Sequence, residues 1–291
     1  MKRCRRDEMT KILDGRKVAK KLNQETKKEI ERLKEQGLTP TLAIVRADQN
    51  PASVQYEKMA TKYMEKLGIQ VEYATFPEDV QEEVFLDALD QLNNHPKIHG
   101  IIVMQPLPKH IHRVKVAQHI SPQKDIDGMH ALNLGKIMAE DKEALLPSTV
   151  KAVAEILKYY NIEVKGQTVC VVGKSNTVGK PLTVLLMNLD ATVINCHTNT
   201  KNLKQFTKQA DILITATGEI GLITKDHVQN DAVVLDVGFN FKGNKVYGDV
   251  VYDEVSQIAN AITPVPGGVG SVTTASLARQ LALAAEWSTK K

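Results

Sequence analysis

The stretch whose residue types point most directly to chemistry is Gly173-Lys174-Ser175-Asn176-Thr177-Val178-Gly179-Lys180-Pro181. It follows the β-branched run QTVCVV and leads into a helical pattern. Strand, glycine loop and helix in that order bring backbone N–H groups and a positive helix end together, which is an arrangement that binds a pyrophosphate. The glycine spacing is not the usual G-x-G-x-x-G, so taken alone the loop also suits a plain strand-to-helix turn.

The next strand adds information at its end, where NAD-selective sites place an Asp or Glu on the ribose 2′-hydroxyl. Here the chain reads Asn195-Cys196-His197-Thr198-Asn199-Thr200-Lys201, with no carboxylate. Lys174, Thr198 and Lys201 can donate instead to a 2′-phosphate. The expected cofactor is therefore NADP, with NAD as the alternative; the other reading of these residues is a solvated loop.

Other chemistries lack their residues. His110 and His112 are two apart, a poor ligand spacing on a helix, and the remaining histidines are scattered, so no metal site is expected. Cys4, Cys170 and Cys196 show no C-x-x-C spacing, which argues against a disulfide framework or a zinc cage. Cys170 and Cys196 fall in apolar runs and read as inert buried thiols. No G-x-S-x-G elbow is present, and His197 beside Cys196 diverges from it on an extended strand.

These residues need a scaffold, and the pattern supplies one. The first half alternates TLAIVRA (41–47), a helix over 51–67, IQVEYATF (69–76), a second helix and IHGIIVM (98–104), a βαβαβ reading. Pro51 suits the first turn of its helix and Gly68 the left-handed residue after the last. The second half begins near Pro147 with a helical stretch and then repeats strand and helix through QTVCVV, ATVINC, DILITAT and AVVLDVG. Such runs between helices imply a mostly parallel sheet covered on both faces. The predicted fold class is α/β with two domains, as a length of 291 residues also suggests.

Composition narrows the class further. Hydrophobic residues at 42% and charged residues at 25% are ordinary for a packed globular enzyme. A net charge of +4 with 4% aromatics gives no basic, aromatic-lined stripe, so no nucleic-acid partner is expected. No apolar run reaches a membrane span. Lys2, Arg3, Arg5 and Arg6 precede no signal-peptide core and read as a disordered leader, so the expected location is the cytoplasm.

Beyond the glycine loop, further pieces fall in order along the chain. They are Asn50-Pro51-Ala52-Ser53 with Tyr56, Pro106-Leu107-Pro108, Lys124-Asp125-Ile126-Asp127-Gly128, Asp236-Val237-Gly238, Gly248-Asp249-Val250 and the run from Ile262 to Gly270, ITPVPGGVG. Together they resemble the bifunctional methylenetetrahydrofolate dehydrogenase/cyclohydrolase (FolD-type) family from about Lys11 to Trp287. The resemblance implies a folate-binding catalytic domain over 9–146 plus 273–291 and a Rossmann-type NAD(P)-binding domain over 147–272. It also implies a folate cleft between them, tetrahydrofolate derivatives as substrates, a role in one-carbon metabolism and a homodimer. By carry-over, Asp127 hydrogen-bonds the pterin and Tyr56 lines the folate site. Gly173, Lys174, Ser175, Thr198 and Phe239 take the cofactor positions, and Pro264, Gly267 and Gly268 lie beside the nicotinamide and substrate. On residues alone, Asp127 before Gly128 is ordinary turn chemistry.

The chain departs from the family where proton transfer is concerned. Ala60 stands at the lysine position, four residues after Tyr56, and Met104 at the glutamine position after the third strand. At about 100° per residue Ala60 lies about 40° from Tyr56, while Lys58 and Lys62 lie about 200° and 240° away and cannot substitute. Hydride transfer depends on alignment and moves no proton, whereas hydrolysis of the methenyl product needs an activated water. The expected activity is therefore dehydrogenation with weak or absent cyclohydrolase. The alternatives are a fully bifunctional enzyme using another base, a binding pseudoenzyme, and a Rossmann dehydrogenase acting on an amino or hydroxy acid.

Overall fold

The protein is described by a computed structural model covering residues 10–243 and 245–289, without the side chains of Pro51, Ala52 and Tyr56. The basic leader read at Lys2 to Arg6 lies outside the described residues. The first elements are β1 (Lys11–Ile12), α1 (Gly15–Glu35), β2 (Thr41–Arg46), α2 (Pro51–Lys66), β3 (Gln70–Thr75), α3 (Glu82–Asn94) and β4 (Gly100–Val103). Next come α4 (Arg113–His119), α5 (Ala131–Met138), α6 (Ser148–Tyr159), β5 (Thr168–Val172), α7 (Gly179–Asn188), β6 (Thr192–Cys196) and α8 (Leu203–Thr207). The last are β7 (Ile212–Thr215), β8 (Val233–Asp236), β9 (Asn240–Lys242), β10 (Lys245–Tyr247), α9 (Tyr252–Val255), β11 (Ala261–Ile262) and α10 (Gly270–Ser288).

The chain divides into two compact units, residues 19–148 with 274–291, and 149–273 with the segment ending at Val18. In the first, β3, β2 and β4 form a parallel sheet in that order. Every residue of the central strand β2 is buried, as expected for a parallel strand covered on both faces. Leu42 and Ile44 face a core shared with Met64 of α2, Ile102, Met104 and Leu281 of α10. Ala43 and Val45 face the opposite core with Phe85 and Leu89 of α3. Gly68, at φ +87°, ends the α2 segment, and the Ile69 N–H returns to the Met64 carbonyl over 3.1 Å.

In the second unit β1, β11, β8, β7, β5 and β6 form one six-stranded parallel sheet in that order. The four β-branched runs of the sequence are its β5, β6, β7 and β8. The short strands β1 and β11 were not legible: two residues carry no period. Their pairing, Lys11 with Ala261 and Ile12 with Ile262, groups residues 10–18 with this unit by contact. Main-chain bonds to a neighbouring strand, not local pattern, decide that membership. The β9–β10 hairpin, likewise unread, is antiparallel.

Candidate functional site

In the six-stranded sheet, β5 lies between β6 and β7, so the winding reverses at β5 and leaves a crevice beyond the strand ends. Gly173 follows β5 directly. Its φ of +136° is one that L side chains rarely adopt, and a side chain there would collide with the Ala216 carbonyl oxygen at the end of β7. Gly179, the first residue of α7, is pressed against the Gly173 carbonyl and lies 2.8 Å, measured from a notional Cβ, from the Lys174 nitrogen. Both glycines thus hold backbone where a side chain would fill the cradle.

Ser175 Oγ accepts from the Val178 and Gly179 N–H groups at 3.1 and 3.3 Å, fixing the loop to the start of α7. Asn195 Nδ2 donates to the Gly173 carbonyl at 2.9 Å and to Thr183 Oγ1 at 3.0 Å, tying the loop to β6. Lys174 and Thr198 are exposed on the loops that follow the paired strands β5 and β6. Gly173, Lys174, Ser175 and Thr198 therefore share one end of the sheet. The cradle, the helix start and the exposed cation fit a dinucleotide pyrophosphate.

The remaining loops at this end are knitted by two buried carboxylates. Asp236, the last residue of β8, accepts from the Gly238, Asp249 and Val250 N–H groups at 2.8, 3.0 and 3.0 Å. Asp249 accepts from the Thr217 and Gly218 N–H groups at 2.6 and 3.1 Å. The glycines are reciprocal: a side chain at Gly238 would collide with Asp249, and one at Gly248 with Asp236. Burial raises the Asp236 carboxyl to about 6 despite these donors, with the nearby Asp249 charge adding to the rise. DVG and GDV were legible as motifs, but their mutual capping was not.

Phe239 is exposed and stacks edge-to-face on Phe241, with ring centroids 5.4 Å apart. Its ring edge faces Gly270 at the start of α10. The run before Gly270 is anchored by the chain's first segment, since Gly15 N–H donates to the Gly267 carbonyl over 2.8 Å and Leu13 N–H to the Ile262 carbonyl over 2.8 Å. Arg16 lies against Gly267. Gly15 and Arg16 were missed in the sequence; the Asp14-Gly15 pair is the only local signal. Pro264, Gly267 and Gly268 belong to this unit, whereas Asp127 belongs to the other.

In the other unit, Asp127 accepts from Ser148 Oγ over 2.7 Å. Burial pushes its carboxyl up to about 6, the Ser148 bond pulls the other way, and the neighbouring Asp125 charge adds to the rise. Asp125 is itself buried and accepts from His130 N–H at 2.7 Å and Asn133 Nδ2 at 2.9 Å. Gly128, at φ +65°, has no room for a side chain against the backbone of Leu146 and Pro147. Gln280 of α10, fully inside, donates to the Ile126 and Leu146 carbonyls at 2.6 and 2.8 Å and accepts from the Leu146 N–H at 2.7 Å. Ser148 and Gln280 were missed because their partners are remote in sequence.

Tyr56 lies on α2, but its side chain is outside the described residues. Ala60 is buried on the same helix, and Lys58 and Lys62 are exposed. Met104 is buried in the core beneath α2, while Gln105 is exposed. Among the described residues no group of three or more His, Cys, Asp or Glu is set to hold a metal. Among the same residues no helix is long and apolar enough to cross a membrane.

Both halves of the chain have relatives. Residues 13–127 match the family described as tetrahydrofolate dehydrogenase/cyclohydrolase, catalytic domain, and residues 147–289 match its NAD(P)-binding domain. The "Bifunctional protein FolD 2" of Desulfitobacterium hafniense is 44% identical over 92% of this chain and 94% of its own. The bifunctional FolD methylenetetrahydrofolate dehydrogenase/cyclohydrolase of Campylobacter jejuni superposes with a TM-score of 0.93 at 37% identity, over 95% of this chain and 99% of that one. The Trypanosoma brucei methylenetetrahydrofolate dehydrogenase-cyclohydrolase, solved with NADP and an inhibitor, gives 0.91 at 30% identity over 98% and 100%. A two-domain α/β chain with a glycine loop at a strand-to-helix turn of a parallel sheet, aligned with these proteins over more than nine-tenths of its length, is a member of the tetrahydrofolate dehydrogenase/cyclohydrolase family, with an NAD(P)-binding second domain.

Proposed function

We propose that the chain oxidises 5,10-methylenetetrahydrofolate to 5,10-methenyltetrahydrofolate with NADP. The observation that carries this reading is the half-buried Asp127 carboxylate, held by Ser148 and backed by Asp125 in the segment the family uses for its pterin. A carboxylate offers about four lone-pair sites, so Asp127 still has acceptors for an amino-pyrimidine edge after Ser148 is served. When bound, the nicotinamide supplies the hydride acceptor. Gly173, Ser175 and the start of α7 would hold its pyrophosphate, and Lys174 with Thr198 the 2′-phosphate that favours NADP over NAD. Phe239, Pro264, Gly267 and Gly268 would border the nicotinamide and the substrate. Hydride transfer moves no proton, so these residues act by alignment and distance.

The domains are proposed to act as folate-binding and dinucleotide-binding modules of a cytoplasmic homodimer, which light scattering would reveal as twice the chain mass. For the hydrolytic half, the lysine and glutamine positions hold Ala60 and Met104, which favours weak cyclohydrolase activity. Full bifunctionality with another base is the second reading. The relatives' printed names favour it, and so does the buried pair of Arg46 and Glu57 beside Ala60. Purified protein is to be assayed with methylenetetrahydrofolate and each dinucleotide. Dinucleotide reduction with methenyl formation, faster with NADP, is the expected result; no reduction with either would sink the reading.

A further inference from the structure

A second charged constellation stands at the end of the three-stranded sheet. Arg46 is the last residue of β2, and alternation from Leu42 and Ile44 turns its side chain to the face covered by α2. There Arg46 Nε donates to Glu57 Oε2 over 2.9 Å, and Nη1 donates to the Asp48 carbonyl oxygen. Arg46, Glu57 and Asp48 are each more than nine-tenths buried. Asp48 Oδ1 takes the Asn50 N–H at 2.7 Å, but Asp48 Oδ2 is buried with no hydrogen-bond partner.

Its place in the fold is that of a ligand site. With β2 between β3 and β4, the winding of the sheet reverses at β2, and ligands of open parallel sheets lie in the crevice beyond the strand ends at such a reversal. Arg46 is one residue past the Val45–Val103 pairing, beside Met104, whose N–H reaches the Val45 carbonyl over 2.8 Å. Glu57 is one helical turn before Ala60, and both are buried on α2. The two apolar residues at the family's lysine and glutamine positions are thus flanked by a guanidinium and a carboxylate. Stability does not account for them, because apolar residues of similar size are usually at least as stable as a buried ion pair. An orphaned buried carboxylate oxygen is a further cost, and it marks a place where a polar ligand or water belongs.

We propose that Glu57 is the catalytic base and acid of the hydrolytic half-reaction in this chain, with Arg46 as its positioning residue. The proposal rests on the folate reading above, taken in its fully bifunctional form. Glu57 takes a proton from water as the water oxygen bonds to the methenyl carbon, and the new electron pair cancels the positive charge of the amidinium. The bond from that carbon to N5 then breaks. Its electrons stay on N5, which receives the proton from Glu57, while the adduct hydroxyl releases its proton to solvent and becomes the formyl carbonyl. One water is consumed, one proton is released and nothing is oxidised. Arg46 holds the carboxylate aimed.

The test follows both half-reactions in the full chain. Loss of methenyltetrahydrofolate is read against its spontaneous hydrolysis, and methylenetetrahydrofolate oxidation is read with NADP. Wild-type protein is expected to hydrolyse above background. Glu57→Gln should lower kcat for hydrolysis by about a hundredfold or more, with KM moving far less, and hydrolysis should fall at least about thirtyfold more than oxidation. Glu57→Asp, which restores the carboxylate, should recover about a tenth of the wild-type rate or more. If Glu57→Gln does not fold, the double variant Arg46→Met/Glu57→Leu removes both charges at similar size, and it should lose hydrolysis selectively. Hydrolysis at the background rate in a wild-type protein that oxidises methylenetetrahydrofolate would overturn the proposal, as would either variant hydrolysing at the wild-type rate. Absence of oxidation as well would overturn the folate reading itself.

Discussion

Ser148 Oγ and Asp127 Oδ1 lie 2.7 Å apart, so a residue from the first turn of α6 fixes the carboxyl of the DIDG segment 21 positions earlier. Burial has raised that carboxyl to about 6, and Ser148 restrains the rise. A ligand that needs the ionised form therefore binds more weakly as pH falls below this value.

The first prediction concerns rate. If Asp127 accepts from the pterin as a carboxylate, kcat/KM for methylenetetrahydrofolate should climb between about pH 5 and 7 with a midpoint near 6. Ser148→Ala removes a bond that lowers this pKa, so the midpoint should move upward. Asp127→Asn should flatten the acid limb and reduce kcat/KM by about a hundredfold. A profile unchanged in Ser148→Ala would separate Ser148 from the site.

A stability effect of the opposite sense should accompany it. Because the folded pKa of Asp127 is raised from 3.8 to about 6, its proton is bound more tightly in the folded state. The resulting stability is complete below about pH 4 and is lost as pH rises through about 6, a change on the order of 2–3 kcal/mol. Asp127→Asn should hence stabilise the ligand-free protein by about 1–2 kcal/mol at pH 7.5 and by little at pH 4. Urea denaturation at the two pH values measures the difference.

Gly248→Ala should be poorly tolerated, because its Cβ would drive into the Asp236 carboxylate that holds three backbone N–H groups. A loss of about 2–3 kcal/mol in stability is expected, with weakened dinucleotide binding as the loops after β7 and β8 shift. Gly243→Ala is the control on the same unit: nothing lies within 4 Å of its notional Cβ, and its φ of +61° limits the cost to backbone strain of about 1 kcal/mol. Equal losses in the two variants would refute the packing argument.

Cofactor choice can be tested at Lys174. Its exposed ammonium sits on the glycine loop after β5, and Lys174→Ala should lower kcat/KM with NADP by about tenfold or more while leaving NAD nearly unaffected. The difference should shrink as salt is raised, since the charge faces water. Parallel steady-state assays with the two dinucleotides give the ratio directly.

Much of the scaffold was legible because period and punctuation are local. The β-branched runs became β2 to β8 of the two parallel sheets, and Gly68 was found at positive φ after α2. The glycine loop was recognisable as strand, turn and helix start. By contrast β1 and β11 exist only as partners of one another and of β8, so no window of the sequence could reveal them. Ser148 and Gln280 escaped for the same reason, each being an ordinary polar residue until its remote partner is known.

The sequence by itself determined the alternation of elements, the nucleotide loop and the family to which the chain compares. Only the tertiary structure decided that β1 pairs with β11, which donors hold Asp127, Asp236 and Asp249, and that Arg46 and Glu57 meet under α2. Periodicity is a property of neighbours along the chain. Burial of a charge and the partner that answers it depend on neighbours in space, and folding alone brings those together.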